Sequence, residues 1–391
     1  MIHIRTSAVL RRAALALTGV AVLAVAACGG AASTATSSSS SAGGDTSAAA
    51  TSSATGGDTG SGSASGAAST TGSSAPSSNT AGGNAAGKTA SLVSIQSVTD
   101  KGVMQDFVSG FKAATEKAGM KSNVVVLTDP STYQSTLDGV SARSDLVFTT
   151  FPPMIQAVEA VAPRHPKVDY VLLDARLTKP IGNVQELFFR ENESSYLSGI
   201  VAGELTKAKK VGFLGALKQD VIDRYLVGFS NGVKSVDPSI QVCYAYVGSL
   251  SDPALGKQFA TTMYGQGVDV IHAATAGTEV GVYQAAEELH KYLIGADVDI
   301  LPFAPNYGLT ASGPDFAGAA KVAVEQFAAN QFKSGLQVYG LADGAVRILP
   351  FNDKLVPQKV QDDVAKAKQG IIDGTIKVPD DKSVGSLKNC S

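Results

Sequence analysis

Three consecutive segments decide the fold: KVGFLGALKQDVIDRYLVGFSNGVKSV (Lys210–Val236), QVCYAYVGSLSDPALGKQFATTMYG (Gln241–Gly265) and VDVIHAATAGTEVGVYQAAEELHKYLIGAD (Val268–Asp297). Short apolar runs (VGFLG, VCYAYV, VDVIHAA, YLIGA) alternate in them with stretches of helical period. That alternation predicts parallel strands joined by crossover helices and covered on both faces. Ligands of such sheets lie beyond the carboxyl ends of the strands. The positions to watch are therefore Ala216–Asp220, Leu250–Asp252, Thr275–Gly281 and Asp297.

The same alternation runs upstream. SLVSIQS, NVVVLT, DLVFTT, VDYVLLD and VQELFF read as strands, and a helix carrying Phe107, Phe111, Ala114 and Ala118 follows the first of them. A helix from about Glu193 to Leu205 contains Ser198, Gly199, Ala202 and Gly203, small residues that permit close packing. Downstream of Asp299 come a loop rich in Pro and Gly, a helix over Phe316–Phe332, the strands LQVYGL and VRILPF, and a helix over Pro357–Gln369. Two successive α/β units whose late segments cross back predict an α/β fold of two Rossmann-like lobes with parallel sheets, a hinge and a cleft. The expected division is residues 88–205 plus about 300–335 in lobe one, and 206–299 plus about 336–391 in lobe two. The Phe316 helix is expected to return to lobe one and the strand at Gln337–Leu341 to lobe two.

The chain begins with Arg5, Arg11 and Arg12, continues with the uncharged run Ala13–Ala27, and reaches VAAC at Val25–Cys28. A basic start, an apolar core too short to span a bilayer and small residues before the cut describe an export signal over 1–27. Cys28 in that position resembles the lipobox of bacterial lipoproteins, which implies cleavage before it and lipid on its sulfur, hence anchoring to the extracytoplasmic face of the cell membrane. The alternative is ordinary cleavage near Ala27 beside an incidental cysteine. From 28 to 87 the composition is almost wholly Ser, Thr, Ala and Gly, which predicts a disordered linker because it cannot bury enough apolar surface to offset chain entropy.

Composition narrows the partners. The formal net charge is −2, from 32 basic and 34 acidic residues, with no basic run, which argues against nucleic acid. With Cys28 committed to lipid, Cys243 and Cys390 remain of the three cysteines; outside the cell they can form one bridge or stay as two thiols. The four histidines have no metal-ligand spacing, so neither a metal nor a cofactor is expected. His272, inside an apolar strand, reads as a hydrogen-bonded core residue. Tyr244 and Tyr246 share one strand face, where packing is the default role.

KVGFLGALKQDVIDRYLVGFSNGV, YVGSLSDPALGKQFA, GVDVIHAATAGTEVGVYQAA and YLIGADVD, with FRENESSYLSGIVAG (Phe189–Gly203) and VYGLADGAVRILPFN, resemble the basic membrane protein family. Those proteins are lipid-anchored substrate-binding proteins of ABC importers, the best known being purine nucleoside receptors. The resemblance covers Lys88–Pro379 and implies a periplasmic-binding-protein type I architecture, a small-molecule ligand, an ABC permease as membrane partner, and a monomer without catalysis. Its ligand contacts carry over unevenly. The family's two stacking rings fall at Val103 and Leu250, and its base-reading asparagine at Met104. Gln96 or Ser97 stands where an acid is expected, Asp100 matches only a later acid of that turn, and a basic residue expected near Ala311–Pro314 is absent. Asp297 matches the carboxylate that accepts ribose hydroxyls, while Asp174 and the turn around Gly277 and Thr278 are retained. Aromatic stacking on a base is worth ~1–3 kcal/mol per ring, so losing both weakens a purine and favours a ligand with an apolar body and a hydroxylated end. Phe151, beside Pro152 and Pro153, is a candidate for the missing aromatic surface, or else packs the core or hinge. Two other functions remain: a sensory lipoprotein that binds without import, and an exported α/β enzyme. No GxSxG, HExxH or paired Cys and His motif supports the latter.

Overall fold

In the computed structural model, which describes residues 85–99, 103–380 and 387–389, the apolar runs become strands of two sheets within one compact unit. The first half of the chain supplies β1 (Thr89–Ser94), α1 (Val103–Lys117), β2 (Lys121–Val126), α2 (Tyr133–Ser141), β3 (Leu146–Thr150), α3 (Ile155–Val161), β4 (Asp169–Leu173) and β5 (Val184–Phe189). After α4 (Glu191–Leu205) come β6 (Lys210–Gly215), α5 (Asp220–Val236), β7 (Gln241–Tyr246), α6 (Pro253–Gly265), β8 (Val270–Ala274), α7 (Glu279–Leu289), β9 (Tyr292–Ala296) and β10 (Gly308–Pro314). The chain ends through α8 (Phe316–Ala328), β11 (Gly335–Tyr339), β12 (Val346–Ile348), α9 (Gln358–Ile372) and the short β13 (Lys388–Asn389).

Lobe one holds a six-stranded sheet in the order β11-β5-β4-β3-β1-β2, every pair parallel. Lobe two holds a seven-stranded sheet, β12-β10-β9-β8-β6-β7-β13, in which β12 alone runs antiparallel to its neighbour. β3, β5, β8 and β10 are buried at every residue, as strands covered on both faces must be. The core of lobe one centres on an edge-to-face cluster of Phe107, Phe111, Phe148, Phe189 and Phe316. Among the described residues no helix is long and apolar enough to cross a membrane.

Four expected boundaries are corrected. Ala85 is buried, and Gly87 N–H donates to Gly119 O at 2.9 Å, so the described body begins inside the span assigned to the linker. α4 belongs to lobe two: residues Glu191–Gly203 are buried apart from Tyr196, and the helix packs along α5. A helix with no polar face needs cover all round, and glycines allow it here; a Cβ at Gly232 would lie 2.0 Å from Tyr196 O. The segment near 308–314, read as loop, is the fully buried β10 of lobe two. Its small residues are a fit: a Cβ at Gly313 would lie 2.1 Å from Asp297 Oδ1. Finally, β11 pairs with β5 from Gly335↔Gln185 to Tyr339↔Phe189 and so lies in lobe one, not lobe two. The Phe316 helix does pack on α1 in lobe one. The chain therefore crosses between lobes after β5, after β10 and after β11.

Candidate functional site

The carboxyl ends of both sheets face one cleft. Gln96 follows β1, Phe151 follows β3, Asp174 follows β4, Ala216 follows β6, Ala276 follows β8 and Asp297 follows β9, and all of them line one cavity of about 50 Å³. Val103, Leu250, Ile222 and Phe316 complete an apolar wall, and Gln219 and Tyr225 add polar groups. Phe316 meets Phe151 edge-on, with ring centroids 6.1 Å apart. A wider compartment of about 530 Å³ shares Asp297 and is bounded by Gln105 and Ser109 of α1 and by Asp299, Phe303 and Arg347.

Backbone strain gathers here. Phe151 (φ 66°), Asp174 (φ 52°), Ala276 (φ 52°) and Asp297 (φ 67°) all occupy the left-handed region without being glycine, and all four line the cavity. For Phe and Ala that conformation costs about 1–2 kcal/mol; Asp tolerates it better, since a short polar side chain can bond locally. Strained residues persist where the surroundings over-determine them, commonly at binding sites.

The two carboxylates differ in their surroundings. Tyr225 Oη donates a short hydrogen bond to Asp297 Oδ1. Loss of hydration pushes the Asp297 carboxyl up to about 7; Glu191 adds to the rise, and Tyr225 and Arg347 oppose it. Asp174 is fully buried, and burial followed by the nearby Glu191 charge raises it well above the usual carboxylate range, against the Arg224 guanidinium. Arg224 Nη2 donates to Asp174 Oδ1 at 3.1 Å and its Nε to Glu191 Oε2 at 2.7 Å. His272 is a core residue: its ring lies against Phe213, Phe229 and Tyr225, and burial lowers it to about 4. Tyr246 packs beside Tyr244 and donates to Asp223.

Of the expected site residues, Asp297, Asp174, Val103, Leu250 and Phe151 come together at the cavity. Met104 does not; it is turned into the lobe-one core, 1% exposed. The Gly277 N–H, considered as a ligand donor, is bonded to Leu250 O at 3.0 Å, and Gly277 borders a separate hollow along α7. Thr278 is buried with its Oγ1 donating to Thr275 O. Asp100 lies outside the described residues. Gln219 falls within the watched stretch Ala216–Asp220, whereas sequence reasoning missed Ile222, Tyr225 and Phe316. Each sits in the first turns of α5 or α8 or just before them, and the rule that ligands lie beyond strand ends extends naturally to the helix that follows each strand.

Two α/β lobes, three crossings and a cleft at the strand ends define a periplasmic-binding-protein type fold. The chain belongs to the family of PnrA-like ABC-transporter substrate-binding proteins, whose model matches residues 87–382. It is 30% identical over 301 residues to basic membrane protein A of Borreliella afzelii, covering 75% of this chain and 91% of the relative. It is 34% identical over 241 residues to the ABC transporter nucleoside-binding protein BmpA of Lactococcus lactis subsp. cremoris, covering 57% and 68% of the two chains. Among solved structures, an ABC-transporter solute-binding protein of Aeropyrum pernix shares the fold with a TM-score of 0.70 at 23% identity, over 75% of this chain and 94% of that one. The family is one of substrate-binding proteins rather than enzymes, and membership implies a small-molecule ligand and a membrane permease as partner.

Proposed function

We propose that this protein is the lipid-anchored, extracytoplasmic receptor of an ABC importer, capturing a small, polar, nucleoside-like molecule in the interlobe cleft. The observation that carries the reading is the convergence on one cavity of Asp174 and Asp297 from the ends of two different sheets, each held in a left-handed conformation. A carboxylate at Asp297 accepts hydrogen bonds from paired hydroxyls at charge-assisted strength. The Val103, Leu250, Phe151 and Phe316 wall takes an apolar body edge-on rather than between parallel rings. The nucleoside-binding relative in Lactococcus supports the hydroxylated end of this ligand. Closing on the ligand from both lobes presents a distinct surface to the permease and requires no chemistry on the cargo.

Cys28, outside the described residues, is the proposed lipid attachment site, and the segment from it to the start of the described body at residue 85 the tether; Cys28→Ala is expected to move the protein from the membrane fraction to the medium. The ligand is tested by thermal shift against nucleosides, bases, sugars and amino acids, because binding raises the melting temperature by mass action. A nucleoside is expected to raise it, and Asp297→Ala to abolish that rise. An unchanged rise in the variant would remove Asp297 from the site.

A further inference from the structure

We infer that Arg224 is the latch of the cleft, a positioning residue that sets how readily the two lobes shut before any ligand contact is counted. The inference rests on the receptor reading above only for its meaning; the geometry is independent of what the cleft binds.

Asp174 belongs to lobe one, at the end of β4, where its N–H donates to Leu187 O. Arg224 belongs to α5 of lobe two. Their ion pair, 3.1 Å long with side chains 1% and 5% exposed, is thus a buried link from lobe to lobe. Glu191, the second partner of Arg224, travels with lobe two: it opens α4, and α4 and α5 touch so closely that a Cβ at Gly228 would lie 2.2 Å from Asn192 O. When the lobes part, Arg224 keeps Glu191 and loses Asp174. The guanidinium also lies 4.1 Å from the ring centroid of Phe188 on β5, so lobe one offers it an aromatic face as well as a charge.

The link is built to be broken. One guanidinium serves two buried carboxyls, and Asp174 and Glu191 also lie within hydrogen-bond reach of each other, Glu191 helping to raise the Asp174 carboxyl. Two buried carboxyls crowded on one cation give back much of the attraction as desolvation cost and mutual repulsion. Opening rehydrates Asp174 while Arg224 stays neutralised, which holds the open and shut forms near balance, where ligand contacts can tip them. Arg224 is also one residue from Tyr225, the donor to Asp297, so one helical turn joins the latch to the ligand carboxylate.

The test uses the full chain with no ligand added. A donor and an acceptor dye are placed through unnatural amino acids at Lys179 and Ser251, exposed residues that follow β4 and β7 on the cleft side of the two lobes. Single-molecule energy transfer then reads the open population. Asp174→Asn and Arg224→Met are each expected to raise the low-transfer population about tenfold, and the double variant to add nothing to the larger of the two. An unchanged distribution in Asp174→Asn, or additive shifts in the double variant, would overturn the latch. Asp174→Asn is near-isosteric and keeps the Arg224–Glu191 pair, so the readout survives should Arg224→Met fail to fold. A nucleoside screen without hits would count against the ligand reading and leave this measurement intact.

Discussion

A carboxyl group stripped of its water and held at φ 67°, as Asp297 is, works against stability wherever it is ionised. Its native carboxyl sits at about 7, mainly through loss of hydration, above the ordinary carboxylate value near 4 to which unfolding returns it. Between those values the native state holds more protons than the unfolded one, so this group's contribution is fully present below about 4 and is lost as pH rises to about 7. Asp297→Asn removes the charge, keeps an acceptor for Tyr225 and places a side chain tolerant of the left-handed region there. The variant is expected to melt roughly 2–5 °C above the wild type at pH 8, with the gap closing toward pH 5. Melting curves across that range check it; a gap independent of pH would show that the Asp297 carboxyl titrates alike in the native and unfolded states, without the upward shift. Asp297 was legible in the sequence because it ends an apolar run in a parallel-sheet pattern. Tyr225, its partner, was not: it lies far along the chain in a helix whose periodicity marks Tyr225 as core, which it also is.

At the scale of elements, α4 and α5 are the axis of lobe two, and their closest approach is made at glycines, beside the Arg224–Glu191 pair and the Ser195 hydroxyl that donates to Tyr225 O. Gly232→Ala drives a methyl into the Tyr196 carbonyl, 2.0 Å away, forcing the helices apart at a cost of about 1–3 kcal/mol. Gly139, inside α2, has nothing within 4 Å of an added Cβ; Gly139→Ala is expected to stabilise by about 0.5–1 kcal/mol through helix propensity. Denaturant titrations should therefore shift in opposite directions, and a loss at both positions would refute the close-contact account. The small residues of α4 could be read from the sequence as a sign of close packing, but their partner could not, because Gly228 and Gly232 lie on another helix. β10 was hidden for a related reason. Gly308, Ala311, Ser312, Gly313 and Pro314 carry loop composition, yet the strand is fully buried, with Ala304 at Gly308 and the Asp297 and Tyr225 side chains at Gly313 occupying the space that larger residues would need.

At the scale of the whole molecule, the lobes are built from interleaved pieces of chain. Cys243 is disulfide-bonded, and beside it the tail strand β13 pairs with β7, Lys388 opposite Cys243. Cys390 lies outside the described residues, and we propose that it is the cysteine joined to Cys243. Non-reducing peptide mapping should recover the Cys243 peptide joined to the C-terminal one, and a free Cys390 thiol would exclude the bridge. Such a bridge protects the outer edge of the lobe-two sheet, which would otherwise present unpaired backbone groups.

Periodicity and punctuation in this chain were enough for the strand and helix order apart from β10, the two-lobe class and the row of strand ends where a ligand belongs, because those signals are local: apolar runs, helical spacing and the Gly and Pro between them. Which lobe receives α4, β10 and β11, and that Arg224 reaches from one lobe to Asp174 in the other, came from folding alone. The contacts of Arg224 with Asp174 and of β11 with β5 join residues 50 or more positions apart, and burial, not spacing, selects the partner.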